Sequence, residues 1–191
     1  MKKIVIDICG ESMTGKSSLI NEISKFNGLV LPRHVTTRNH RGDDTDFYKF
    51  INSKQLIDRK KIWIMSGKPG HTYGIENFNF ENALINSSLK DIPNLVKKSI
   101  EEKFKILFIV LYSSNLIDSL KHAQRYSNKE IEYRKKTNMR DFEDFLNGAY
   151  LNTTHQKYLF FDAEYESKKE ILEKAKIEII KFMRENNVNY S

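Results

Sequence analysis

Residues Gly10-Glu11-Ser12-Met13-Thr14-Gly15-Lys16-Ser17 match the spacing G-x-x-x-x-G-K-[ST] in full, between an apolar run and an amphipathic one. Each fixed position has a chemical reason. Glycine at 10 and 15 allows backbone angles and close approaches that a side chain forbids, so successive amides can curl around phosphate oxygens. Lys16 can reach the outer phosphates and the Ser17 hydroxyl can ligate Mg²⁺. A helix opening here, with Ser18 in its first turn, adds the positive end of its dipole. The segment is therefore expected to hold a nucleoside triphosphate, with residues 10–18 lining the phosphates.

A triphosphate site serves many reactions, so the group that exchanges the phosphate must be sought elsewhere in the chain. Between Arg33 and Arg41 lie three arginines and two histidines in nine residues, beside the hydroxyls of Thr36 and Thr37. Arginine forks grip phosphate oxygens in pairs. Composition leaves two readings open for this stretch, a phosphate clamp for a second substrate and a solvated basic loop. His34, His40 and His71 lack the spacing of a metal triad and read as polar linings, with His34 placed best for direct contact with a second substrate. Cys9 is the single cysteine, so it forms neither an internal disulfide nor a cysteine-rich zinc centre.

The elements that must position these groups follow from hydrophobic spacing. Apolar runs of strand length occupy 3–8, 62–65, 83–86, 105–112 and 158–161, several of them apolar on both faces, as a buried parallel sheet requires. Helical patterns occupy 17–25, 94–102, 115–126, 129–150 with breaks, and 167–186. In the last, Ser167 and Glu170 have capping-box spacing, and Ile171, Leu172, Ala175, Ile179 and Phe182 share a face. Alternating strands and helices predict an α/β domain. Pro32, Pro69 and Pro93 are expected in connections, 65–70 as a loop leading to Tyr73, and Trp63 in or beside the core.

With 191 residues, 39% hydrophobic and 12% aromatic, the chain is long and apolar enough for one compact core, which excludes a wholly disordered protein. No apolar run approaches the ~20 residues of a membrane helix. The opening apolar stretch carries Asp7 and lacks a small-residue cleavage site, so it does not read as a secretory signal and a cytoplasmic protein is expected. The charge of +7 attracts anions of any kind. Its basic residues are spread along the chain, which reads as solvated surface rather than a nucleic-acid stripe.

Thr36-Thr37-Arg38-x-x-Arg41-Gly42-Asp43, Tyr48-x-Phe50 and Tyr73-Gly74 together resemble the acceptor-binding region of guanylate kinases, and the likeness spans most of the chain. The resemblance implies a P-loop NTPase fold, a three-layer sandwich with a parallel sheet flanked by helices. Residues 1–191 would form one domain, with its core at 1–30, 83–120 and 156–191, an acceptor-binding insertion at about 31–82 and a lid at about 121–150. It further implies that Thr37, Arg38, Arg41, Tyr48 and Tyr73 hold the acceptor's phosphate. Arg125 and Arg134 would close from the lid, with Ser127-x-x-Glu130 opening a helix between them.

The chain departs from that family where guanine is read. In place of a Ser, a Glu and an Asp-x-Asp it has His34, Ile64 and Asn86-x-Ser88. Asn86 also stands where such enzymes carry an acidic Mg²⁺ partner. Asp7, Asp91 and Asp162 are candidates to orient metal-bound water, although ordinary strand-end or surface placement explains each. A second likeness accommodates the departures: 33–38, Tyr73-Gly74-Ile75 and 85–93 are similar to ribose 1,5-bisphosphate phosphokinases, whose acceptor has no base.

The resemblances imply ATP- and Mg²⁺-dependent phosphoryl transfer to a small phosphorylated acceptor lined also by His34, Asn86 and Ser88. A nucleoside monophosphate is the first expectation and a sugar bisphosphate the alternative. A nucleotide-binding module without catalysis is the rival from another class.

Overall fold

The computed structural model describes residues 3–11, 14–26, 28–40, 48–52, 62–68, 71–76, 82–113, 127–147 and 156–188, with the backbone alone for 62–68 and at Glu130, Arg134, Asn138 and Leu146. In chain order the elements are β1 (Ile4–Gly10), α1 (Lys16–Ile23), β2 (His34–Thr36), β3 (Tyr48–Phe50), β4 (Ile62–Lys68), β5 (His71–Glu76) and β6 (Ala83–Asn86). A 3-10 turn (Leu89–Asp91) then leads into α2 (Ile92–Glu101), β7 (Lys105–Tyr112), α3 (Asn128–Leu146), β8 (Gln156–Asp162) and α4 (Lys168–Glu185).

The central sheet is parallel, in the order β6-β1-β7-β8. β1 is buried along its whole length. Side chains alternate across a strand, so its residues feed two cores. Ile4, Ile6 and Ile8 join Leu107, Ile109 and Leu111 of β7 against Leu19, Ile20 and Ile23 of α1 and Ile171, Ala175 and Ile179 of α4. Val5 and Cys9 join Ile106, Phe108 and Val110 against Ile92 and Leu95 of α2 and Phe145 of α3. The result is the three-layer α/β sandwich, with helices on both faces of a strand pair that must be apolar on both sides. Among the described residues no helix is long and apolar enough to cross a membrane.

β1 lies between β6 and β7, so the chain crosses from one side of β1 to the other between those two strands. Sheets of this kind place their ligand crevice beyond the carboxyl ends of the strands at such a reversal. The loop after β1 opens there.

A second sheet, β3-β2-β5-β4, pairs β2 with β3 in parallel and β5 antiparallel to both β2 and β4. The run 62–65 lies in this second sheet, antiparallel to β5. One expectation is corrected: the stretch predicted as a loop from 65 continues as strand to Lys68, with a bulge between Ile64 and Gly67. Pro69 and Gly70 lie outside the described residues, as do the side chain of Trp63 and the helix expected at 115–126.

Pro93 also departs from expectation, sitting in the first turn of α2 rather than in a connection. The position suits proline, because the first amides of a helix have no partner within it. α4 begins as its pattern predicts: the Glu170 amide donates to Ser167 Oγ at 3.2 Å, and the Ser167 amide donates to Glu170 Oε2 at 2.8 Å.

Candidate active site

β1 runs into Gly10 at φ 130°, and a Cβ built there would lie 1.9 Å from the carbonyl oxygen of Leu111 on β7. Glycine is required by this contact. The approach lets the Glu11 amide donate to Leu111 O at 3.1 Å. The Thr14 hydroxyl donates back to Glu11 O at 2.9 Å, and the Lys16 ammonium donates to the carbonyls of Gly10, at 3.0 Å, and Glu11.

Gly15, at φ 88°, is the N-cap of α1, and the Leu19 amide donates to its carbonyl at 3.0 Å. Among the described residues no side chain caps this helix end and no acidic residue stands in its first turn, where Ser17 and Ser18 are within reach of the loop. The amino end of α1 therefore presents amides that have no partner within the helix and a positive dipole end, the arrangement that binds phosphate. Ser12 and Met13 lie outside the described residues.

The Glu11 side chain turns inward, where its Oε2 accepts the Ser113 amide at 3.2 Å. Burial pushes its carboxyl up to about 7; the Ser113 amide and then Lys16 pull the other way, and Asp162 adds to the rise.

On the α2 side of the sheet, Asp7 is fully buried. Its Oδ2 accepts the Ser87 hydroxyl at 2.6 Å, while Oδ1 has no partner among the described residues. Burial foremost raises this carboxyl well above the ordinary range; the Ser87 hydrogen bond opposes the rise and Asp91 reinforces it. Asp91 in turn accepts both the amide of Ser88, at 2.9 Å, and its hydroxyl, at 2.6 Å. Ser88, expected to line the acceptor, thus caps the 3-10 turn.

Asn86 joins the two sheets. It pairs in register with Ile8 of β1. Its backbone amide donates to His34 Nε2 at 3.2 Å and its side-chain amide donates to the Tyr48 hydroxyl at 3.2 Å, leaving a buried Oδ1 without a partner among the described residues. With Nε2 accepting, the His34 ring carries its proton on Nδ1, which donates to Pro32 O at 3.1 Å. Burial drives its pKa down to about 4, against the two backbone contacts, so the ring is neutral at physiological pH. His34 is buried and both ring nitrogens meet backbone groups, so it serves as a fixed lining and as the joint between the sheets rather than as the direct contact group that the sequence favours.

Around that joint lie the groups expected to hold an acceptor. The Arg38 guanidinium rests 5.4 Å from the centre of the Tyr48 ring and 5.1 Å from that of Phe50, and its Nη1 donates to Asn39 O at 3.0 Å. Tyr48 meets Tyr73 edge-on at 6.2 Å. Thr37 is tied to β5 twice: its amide donates to Thr72 O at 3.0 Å and its hydroxyl accepts the Thr72 amide at 2.9 Å.

Arg38, Tyr48, Tyr73 and Asn86 are thus brought together one strand away from the phosphate loop. Arg41 and Arg125 lie outside the described residues, and Arg134 is placed on α3 by its backbone alone. Sequence reasoning gives Phe50 no role of its own, although period-two spacing from Tyr48 sets both rings on one face of β3, where Arg38 can rest between them. Asp7 is visible as a lone charge in an apolar strand. Its partner Ser87 is not, because that contact spans eighty residues.

No protein-family model and no curated protein sequence matches the chain. Among solved structures it is similar to the guanylate kinase from Anaplasma phagocytophilum, with a TM-score of 0.59 and 15% identity over 97% of this chain and 88% of that one. The fold is therefore guanylate kinase-like.

Proposed function

We propose that this protein transfers the terminal phosphoryl group of ATP to a small phosphorylated acceptor. The observation that carries the reading is the joint at Asn86, which fastens the Arg38–Tyr48–Tyr73 cluster to the strand beside the phosphate loop. Phosphoryl transfer spreads charge over the oxygens of the moving group, so catalysis is mostly positioning and electrostatic stabilisation. The loop amides and Lys16 grip the triphosphate, and Arg38, its plane steadied by two rings, turns a fork toward the acceptor's phosphate. On the resemblance, Arg41 adds a second fork, and Arg125 and Arg134 close on the moving group and exclude water.

The chain's donor oxygens fit magnesium. The Ser17 hydroxyl in the first turn of α1 and the Asn86 Oδ1, which has no partner among the described residues, are hard oxygens of the kind Mg²⁺ takes alongside water. When bound, the ion neutralises charge between the phosphates. Ser17 would hold it directly.

A nucleoside monophosphate is the first acceptor class. A sugar phosphate is favoured by one observation: His34, which on the resemblance stands where guanylate kinases carry a base-reading serine, spends both ring nitrogens on backbone rather than on a base. ADP release measured by a coupled assay across nucleoside monophosphates and ribose 1,5-bisphosphate separates the two. At least one acceptor should raise turnover about tenfold or more above the acceptor-free rate, the scale of a positioned second substrate. ATP binding by calorimetry with no acceptor-dependent ADP from any of them would instead establish a nucleotide-binding module without catalysis.

The active acceptor can then be used against Arg38→Lys. An ammonium lacks the fork and the planar stack, interactions together worth about 1–2 kcal/mol, so the acceptor KM should rise about tenfold while the ATP KM stays in place.

A further inference from the structure

Glu11 is an acidic side chain inside the very loop that the proposed function fills with phosphate. Its carboxyl is buried, its Oε2 accepts the Ser113 amide, and its main-chain carbonyl accepts the ammonium of Lys16. Among the described residues, the charges that act on it are Lys16 from α1, which favours the ionised form, and Asp162 from the end of β8, which opposes it. From β7, the neighbouring Tyr112 phenol is raised by burial and then by Asp162 and Glu166, so it remains a neutral neighbour.

We infer that Glu11 takes up a proton as the triphosphate binds, so that nucleotide affinity falls as pH rises. The inference rests on the triphosphate occupying this loop. Two effects of binding act in the same direction. The phosphates bring negative charge beside a buried carboxylate, and they draw on the Lys16 charge that had favoured its ionised form. The neutral acid still accepts the Ser113 amide through its carbonyl oxygen, so the loop need not rearrange. Solvent supplies the proton and no bond of the nucleotide changes.

The free protein holds this carboxyl at about 7, so at pH 8 about nine-tenths of the molecules must gain a proton to reach the favoured complex. The affinity for ATP should accordingly be about tenfold weaker at pH 8 than for a carboxyl already neutral. Calorimetric titration with ATP without metal at pH 8, where its terminal phosphate is ionised, in two buffers of different ionisation enthalpy, reads the proton count directly. The wild type should take up close to one proton and Glu11→Gln close to none. The variant should bind about tenfold more tightly at pH 8 and equally at pH 6.

A second measurement needs no nucleotide. The folded carboxyl sits above its ordinary value of 4.5, so between about 4.5 and about 7 the native state keeps a proton that the unfolded chain has lost. Wild-type thermal stability should therefore decline relative to Glu11→Gln as pH rises through that window and hold a constant difference above it.

Zero proton uptake by the wild type, equal uptake by both proteins, or a stability difference that does not change with pH would each overturn the inference while leaving the proposed function standing. Absence of ATP binding at every pH would remove both.

Discussion

Gly10→Ala should lower the stability of the fold by about 3–5 kcal/mol, read as a drop in urea midpoint with an unchanged slope. A methyl group at this position would lie 1.9 Å from Leu111 O, and that oxygen belongs to the backbone of a central strand, so it cannot swing aside as a side-chain tip would. The residue also sits at φ 130°, where a side chain adds strain of about 1–3 kcal/mol. For a domain whose total stability is about 5–15 kcal/mol, the loss threatens folding itself. Gly15→Ala supplies the contrast. Its φ of 88° is strained for alanine, but nothing among the described residues lies within 4 Å of the new methyl group, so the backbone cost of about 1–2 kcal/mol dominates. Equal losses at the two glycines would show that β7 gives way and that the loop is less tightly seated than its contacts indicate.

Lys16→Met should reduce the rate of phosphoryl transfer about 10³-fold while the fold stays within about 1 kcal/mol of wild type. The ammonium donates to the carbonyls of Gly10 and Glu11, both on the loop it follows, so its loss deprives two backbone acceptors of part-buried hydrogen bonds rather than opening a cavity in the apolar core. Its effect on transfer is larger because a charge aimed at the outer phosphates counts most where negative charge moves in the transition state. The fall should therefore appear chiefly in kcat, with a smaller change in ATP affinity. Wild-type turnover in the variant would remove Lys16 from the chemistry. The same substitution removes a charge that favours ionised Glu11, so it should push that carboxyl higher still.

The phosphate loop and α4 are legible in the sequence because their rules are local. A glycine spacing, a capping pair and a helical stripe each lie within a few residues of the atoms they govern. The central sheet is legible for a related reason: strands covered on both faces must be apolar throughout, and β1 and β7 are, apart from Asp7 and the outermost residues.

The second sheet is hidden. β2 and β3 are three residues long, too short for a period to register, and they contain His34, Thr36 and Lys49, which read as loop. What makes them strands is pairing across distance, His34 with Tyr48 and Thr36 with Tyr73. Ile62–Met65 reads as a strand without a stated partner, because an apolar strand carries no label for the sheet it joins. The burial of Glu11 escapes a linear reading for the same reason, since it depends on Ser113, a hundred and two residues away. The resemblance locates Arg38, Tyr48 and Tyr73; how Asn86 and His34 couple them to the phosphate loop emerges only in three dimensions.

The burial of Cys9 has a practical consequence for anyone who wishes to watch this fold move. Its sulfur faces Ile109 O at 3.8 Å within the sheet, and burial holds the thiol well above its ordinary pKa, so maleimides and other thiolate-seeking dyes have no purchase on the native chain. A cysteine placed at an exposed position such as Met139 on α3 would be the sole labelling handle, and a fluorophore there would report on that helix without first stripping the protein of its own sulfur chemistry.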